Sequence, residues 1–210
     1  SKKNTIDPEV MIDQFGADAV RWFILSDSPP EKDVQWTDAG VVSANKFLQK
    51  VWNLNHLISA RKEKGVDEST EKKFELELNN FIFQIDNSIK SFKFNVSIAH
   101  FYELHKFFKD NLEMQISNKL LNLNLIKMMK LMMPFTPHLA HECLELLGCK
   151  KVYEWPEIDK NKISDKIKVA IQVNGKTRDI ITVKKNLIEK EIRKIVLDQP
   201  KVKKYIEDKK

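Results

Sequence analysis

Residues 37–58, TDAGVVSANKFLQKVWNLNHLI, decide the fold. Thr37 offers a side-chain oxygen as a helix cap, and Asp38 places negative charge in the first turn. Val41, Phe47, Leu48, Val51, Trp52, Leu54 and Ile58 then recur at helical spacing and make one apolar face. Such a face needs partners, and the chain supplies them. Phe74, Leu78, Phe81, Ile82, Ile85 and Ile89 repeat the pattern, as do Ile98, Phe101, Tyr102, Leu104, Phe107 and Phe108. Leu120 to Met133 is dense in leucine and methionine and stops at Pro134, where the missing N–H breaks the helix. Pro137 starts a last helix through Leu146 and Leu147, and Gly148 supplies its stop. Residues 37–148 therefore read as a bundle of about five long helices, and the chain as mainly α.

Outward toward the N-terminus, Asp7 and Pro8 read as a cap and first helical position, and Gly16 separates two short helices. The second of these ends before Pro29-Pro30, and Ser26 to Gln35 reads as a loop. Toward the C-terminus, Gly65 and a charged stretch are expected to end the first long helix, and Trp155 to Asp165 reads as a hinge. The tail then changes period. Ile167, Val169, Ile171 and Val173 alternate, Asn174-Gly175 is a strong hairpin signal, and residues 178–183 return. A strict two-residue turn would pair Ile171 with Arg178 and Val169 with Ile180, which sets Arg178 on the apolar face. Either a bulge shifts the register or Arg178 meets a partner there. Asn186 and Glu189 form a capping-box pattern, followed by Ile188, Ile192, Ile195 and Val196 on one helical face. Pro200 opens a short final helix. A hairpin alone is marginal, so a further strand is expected beyond Lys210.

Charge is uneven along the chain. Residues 160–210 hold 16 Lys and Arg against 7 Asp and Glu, a net +9, while residues 1–159 carry a net −3. A basic tail on a faintly acidic body points to a polyanion as partner. With 42% apolar and 31% charged residues the chain is globular rather than disordered, and no run reaches the ~18 apolar residues of a membrane span. Two cysteines, Cys143 and Cys149, make no disulfide framework, and a reducing cytoplasmic setting is expected.

The motifs carry a resemblance. Ser1-Lys2-Lys3-Asn4, Ile6-Asp7-Pro8 and Gly16-Ala17-Asp18-Ala19-Val20-Arg21 resemble the segment after the Lys-Met-Ser-Lys-Ser loop of class I aminoacyl-tRNA synthetases. Ser28-Pro29-Pro30-Glu31-Lys32-Asp33-Val34-Gln35-Trp36 and Ile171-Gln172-Val173-Asn174-Gly175-Lys176-Thr177-Arg178 are similar to bacterial leucyl-tRNA synthetases in particular. Pro134-Phe135-Thr136-Pro137-His138 and Trp155-Pro156 match the last bundle helix and the exit from the bundle in the same enzymes.

The resemblance implies an anticodon-binding-type helix bundle followed by a small basic α/β domain of a hairpin plus two helices. It divides the chain into the end of the catalytic core (1–36), the bundle (37–156), a linker (157–165) and a truncated C-terminal tRNA-binding domain (166–210). The parent reaction it implies joins leucine to its tRNA with ATP and magnesium. The signature-loop lysines that would meet ATP precede Ser1. The chain alone is therefore expected to be inactive, with no catalytic or cofactor-binding residue and no bound cofactor. Its expected partner is leucine tRNA, at the elbow and acceptor arm, with the protein a monomer away from membranes and the bundle mainly a scaffold.

Cations on phosphates supply most salt-dependent affinity for nucleic acid. Asn174, Lys176 and Arg178 cluster at the hairpin tip with Lys184 and Lys185 nearby, and Arg21, Lys32, Lys46 and Lys50 are candidate contacts in the body. Trp22, Trp36 and Trp52 read as packing residues. His138 and His141 lie three apart on one helix, but Cys143 is turned away by ~200°. That spacing fails for a closed zinc site, and no metal is expected. Two other readings compete: a freestanding helical scaffold with a basic RNA-binding tail, and the equivalent portion of a valyl- or isoleucyl-type synthetase.

Overall fold

The computed structural model describes residues 6–159, 163, 166–184 and 187–207, and the chain divides between Ile163 and Ser164 into two compact units. In the first, α1 (Pro8–Phe15) and α2 (Ala17–Asp27) precede α3 (Asp38–Ser59), α4 (Glu68–Lys90), α5 (Phe94–Asn111), α6 (Asn118–Met132) and α7 (Pro137–Leu146). The expected caps form: Asp7 Oδ1 accepts from Glu9 N at 2.9 Å, and Thr37 Oγ1 from Gly40 N at 3.2 Å. No helix among the described residues is long and apolar enough to cross a membrane.

No break in packing marks residue 36, the expected boundary of the bundle. Trp22 and Phe23 of α2 are buried in the same core as Phe47, Phe101 and Phe135. Trp22 stacks on Phe47 at 5.2 Å between ring centroids and meets Phe101 at 5.8 Å. Its indole N–H donates to the Tyr102 hydroxyl at 3.3 Å. Phe23 packs edge-on to Trp36 at 5.1 Å, and Trp36 donates to Asp38. The motif that reads as the end of a catalytic core is thus part of the bundle's own interior, because its aromatic residues are too large to leave in water.

At the opposite end of α3, Arg61 ends the helix earlier than the Gly65 expected. Its guanidinium donates to the carbonyls of Leu112, Met114 and Ile116 at 2.8, 2.7 and 2.9 Å. These bonds tie the α3–α4 connection to the α5–α6 connection. Asp67 caps α4 through Thr70 N at 2.9 Å. Glu71 Oε1 accepts from both the backbone N and the hydroxyl of Ser117, at 2.8 and 2.5 Å. Those two bonds hold its carboxyl below the usual glutamate range.

The second unit is an antiparallel hairpin, β1 (Lys166–Val173) and β2 (Lys176–Lys184), followed by α8 (Glu189–Leu197) and α9 (Pro200–Glu207). Asn174 and Gly175 both adopt positive φ, 53° and 74°, as a two-residue primed turn requires. Gln172 pairs with Thr177 but Ile171 pairs with Asp179, so Arg178 is the extra residue of a bulge. Of the two alternatives open in the sequence, the bulge is the one formed. It pairs Val169 with Ile181 and turns Ile181 and Val183 inward, where they pack with Ile171 and Val202, while Ile180 is 61% exposed. The start of α8 is closed by Glu191, which accepts from Ile188 N at 3.0 Å. Asn186, half of the capping box expected with Glu189, lies outside the described residues.

Two predictions test the packing. A Cβ on Gly40 would stand 2.7 Å from Phe23 Cδ2, and that ring is held by Trp36. Gly40→Ala should therefore cost about 1–3 kcal/mol of stability in urea unfolding; an unchanged midpoint would show that Phe23 can move aside. Glu71 has a folded pKa below its unfolded value, so its contribution is present above about pH 4.3 and lost as pH falls through the folded value. Glu71→Gln should lower the unfolding midpoint at pH 7 and lose that difference in acid; a gap independent of pH would contradict the assignment.

Candidate nucleic-acid interface

Asp18 and Arg21 of the Gly-Ala-Asp-Ala-Val-Arg motif make their contacts within the fold. Asp18 is buried, and its carboxylate accepts from Leu139 N at 2.7 Å and pairs with His138 Nδ1 at 3.0 Å, capping the start of α7 from another helix. One turn on, Arg21 Nε donates to Phe135 O at 3.1 Å and its Nη2 to Pro134 O at 2.6 Å. Arg21, a candidate RNA contact, clamps the turn between α6 and α7 while its side chain remains exposed. The N–H groups of His138 and Leu139, four residues on, go to Asp18, so the Pro134 and Phe135 carbonyls have no helical donor, and a guanidinium reaches two at once.

His138 is thereby committed to Asp18, and Cys143 is buried with its thiol pushed up to about 12, by burial first and the Glu142 charge second. Among the described residues no group of three or more His, Cys, Asp or Glu could hold a metal ion.

Lys46 and Lys50 fare differently. Phe47 and Tyr102 meet at 4.0 Å between ring centroids, and one turn further along both helices His105 Nε2 meets the Lys50 carbonyl at 3.2 Å. α3 and α5 therefore run parallel, with Trp22 of α2 wedged between them. Beyond the wedge they enclose an open groove of about 710 Å³. Lys46 and Lys50 stand on the α3 rim, and Lys106 and Lys109 on the α5 rim. All four are exposed, no carboxylate lines the groove, and Lys106 alone among them pairs with an acid, Asp110 at 3.1 Å. Phe47, Leu54, Leu57 and Tyr102 give it an apolar floor. His105 has its pKa lowered, by burial first and then by the charges of Lys50 and Lys109 against the raising effect of its carbonyl bond. It is neutral at pH 7.

The second unit offers a smaller basic surface. Asn174 and Lys176 are exposed at the turn and Lys184 at the end of β2, while Lys185 lies outside the described residues. Arg178 is not a free tip residue: its guanidinium lies over the Tyr205 ring at 4.0 Å, a cation–π contact that joins the bulge to α9. Asp179 reinforces that joint through Lys201 at 3.0 Å, which lowers the Asp179 pKa. Lys32 is exposed in the Pro29–Lys32 turn.

Residues 71–193 match the family model described as the anticodon-binding domain of tRNA ligase. The chain belongs to that family. It is 35% identical over 99% of its length to the leucine–tRNA ligase of Zymomonas mobilis, and 34% identical over 100% to that of Thermotoga maritima. It spans about a quarter of these relatives, 24% and 27% of their lengths. In structure it resembles the Agrobacterium radiobacter K84 agnB2 LeuRS solved with tRNA and LeuAMS, with a TM-score of 0.66 and 25% identity over 97% of this chain and 27% of that one. These relatives match the resemblance carried by the Pro-Pro-Glu-Lys-Asp and Asn-Gly-Lys-Thr-Arg motifs.

Replacing Arg21 by alanine strips the α6–α7 turn of two charged hydrogen bonds. Arg21→Ala should lower stability by about 1–3 kcal/mol in urea unfolding, with the salt dependence of tRNA binding unchanged. A stable variant with a flatter salt slope would return Arg21 to the RNA-binding set.

Proposed function

We propose that the chain is the tRNA-gripping portion of a leucine–tRNA ligase, a cytoplasmic enzyme that joins leucine to its tRNA using ATP and magnesium. The observation that carries this reading is relatedness along 99–100% of the chain to leucine–tRNA ligases, at about 35% identity. The structural neighbour was solved with tRNA, which supports the same partner. Chemistry belongs to the three quarters of the relatives' length that this chain does not span. No residue here is assigned to ATP, magnesium or catalysis.

The division of labour follows from the basic surfaces. Asn174 and Lys176 at the hairpin turn meet the tRNA elbow, where a narrow turn can approach phosphates and unstacked bases, and Lys184 adds charge at the far end of β2. The bundle, residues 37–156, positions the acceptor arm, and residues 157–165 link it to the C-terminal domain of 166–210. The protein works as a monomer on one tRNA.

Binding of leucine tRNA measured against salt tests the grip. Lys176→Ala with Lys184→Ala should flatten the slope by up to about two counterions. An unchanged slope would reduce the hairpin to a solvated turn. Given leucine and ATP, the chain alone should show no pyrophosphate exchange; measurable exchange would mean it holds an active site.

A further inference from the structure

Residues 149–158 follow α7 with no helix or strand of their own, so tertiary contacts hold them to the bundle. Val152 and Ile158 are half-buried against the main core, and Pro156 is buried. On the α7 side, the Tyr153 hydroxyl meets His141 Nε2 at 3.4 Å. On the α4 side, the Trp155 indole N–H donates to Asp86 Oδ1 at 2.8 Å. The two ends of this bond differ in depth. Trp155 is 42% exposed, whereas Asp86 is 3% exposed. A carboxylate at that depth needs donors on both oxygens. Lys90, one turn along the same helix, serves Oδ2 at 2.7 Å. Trp155 serves Oδ1 from 69 positions away in sequence. The buried acid therefore acts as a receiver for the segment that leaves the bundle.

Docking this segment changes a length. With it in place, Ile158 is the last residue packed on the bundle and β1 begins at Lys166, which leaves residues 159–165, seven of them, between the two. With it released, the count runs over residues 149–165 and becomes seventeen. Fully extended, such spans reach about 25 and 60 Å. We propose that Asp86 and Trp155 form a latch that fixes where the chain leaves the bundle, and that the latch strengthens tRNA binding by shortening the connection to the hairpin. Both are positioning residues, and neither touches RNA. The proposal rests on the grip shared by bundle and hairpin and deepens it, since it names what couples the two halves. Effective concentration falls as about the −3/2 power of the connecting length, so seven residues give about fourfold more than seventeen.

The test uses the full chain in four forms: unmodified, Trp155→Phe, Trp155→Phe with Ile158→Ser, and a chain with ten Gly and Ser residues inserted after Asp159. Trp155→Phe keeps a ring and removes only the donor. Trypsin cleavage after Lys150 and Lys151, both exposed, reads release of the segment. It should quicken about tenfold or more in Trp155→Phe and further in the double variant, and stay unchanged in the inserted chain. Leucine tRNA should bind the double variant and the inserted chain about fourfold more weakly than the unmodified chain. The salt slope should be the same in all four, because no cation is lost. Unchanged cleavage in Trp155→Phe overturns the latch, as does a double variant that binds tRNA like the unmodified chain while the inserted chain binds it more weakly. A flatter salt slope in the double variant would place the segment on the RNA and overturn the latch too. If the inserted chain binds tRNA as tightly as the unmodified one, or the unmodified chain binds none, the shared grip falls instead.

Discussion

One contact set fixes the rest of the first unit: the grip of α2 on the turn between α6 and α7. Asp18 supplies the cap that α7 lacks, and Arg21 supplies donors to the carbonyls that Pro134 and Phe135 leave unpaired. Each is a charge-assisted hydrogen bond, worth roughly twice a neutral one. Between them in sequence, Trp22 is driven into the core. Burying a side chain of that size outweighs any single hydrogen bond, at about 3–5 kcal/mol for its loss against about 1–3 for theirs. The polar bonds set where α2 lies, and the indole supplies most of the adhesion.

That placement has a consequence for chemistry. Beside Trp22, α3 and α5 meet through Phe47 and Tyr102, and beyond that contact they border a groove with lysines on both edges. Phe47 and Tyr102 both hold the Trp22 indole and line the groove, whereas the lysines only line it. Asp18 and Arg21 contribute bonds that hold the fold, whereas Lys50 and Lys109 contribute charge to the rims. In the second unit the same separation holds. The Arg178–Tyr205 contact and the Asp179–Lys201 pair hold α9 against β2, leaving Lys176 and Lys184 at the surface.

Helix periodicity made the bundle legible from residues 37–148, because apolar spacing and the capping positions Asp7 and Thr37 are local signals. The Asn174-Gly175 turn was legible for the same reason. What the sequence left open was tertiary. No local rule says that Arg21 will reach the α6–α7 carbonyls, and charge alone made it resemble a phosphate contact. Nor does a local rule say that the bulge sets the Arg178 guanidinium over Tyr205. Arg61 ends α3 short of Gly65 through partners about fifty positions away. The lysines of α5 were overlooked because the helix read as core, although its outer face carries Lys106 and Lys109.

The central claim is that lysines on two separate units hold leucine tRNA. Salt dependence of tRNA binding, compared between the whole chain and one ending at residue 159, measures this directly. Both should bind, the shorter chain with a distinctly shallower slope that remains above zero. Equal slopes, or a shorter chain that no longer binds, would contradict a grip shared between the bundle and the hairpin.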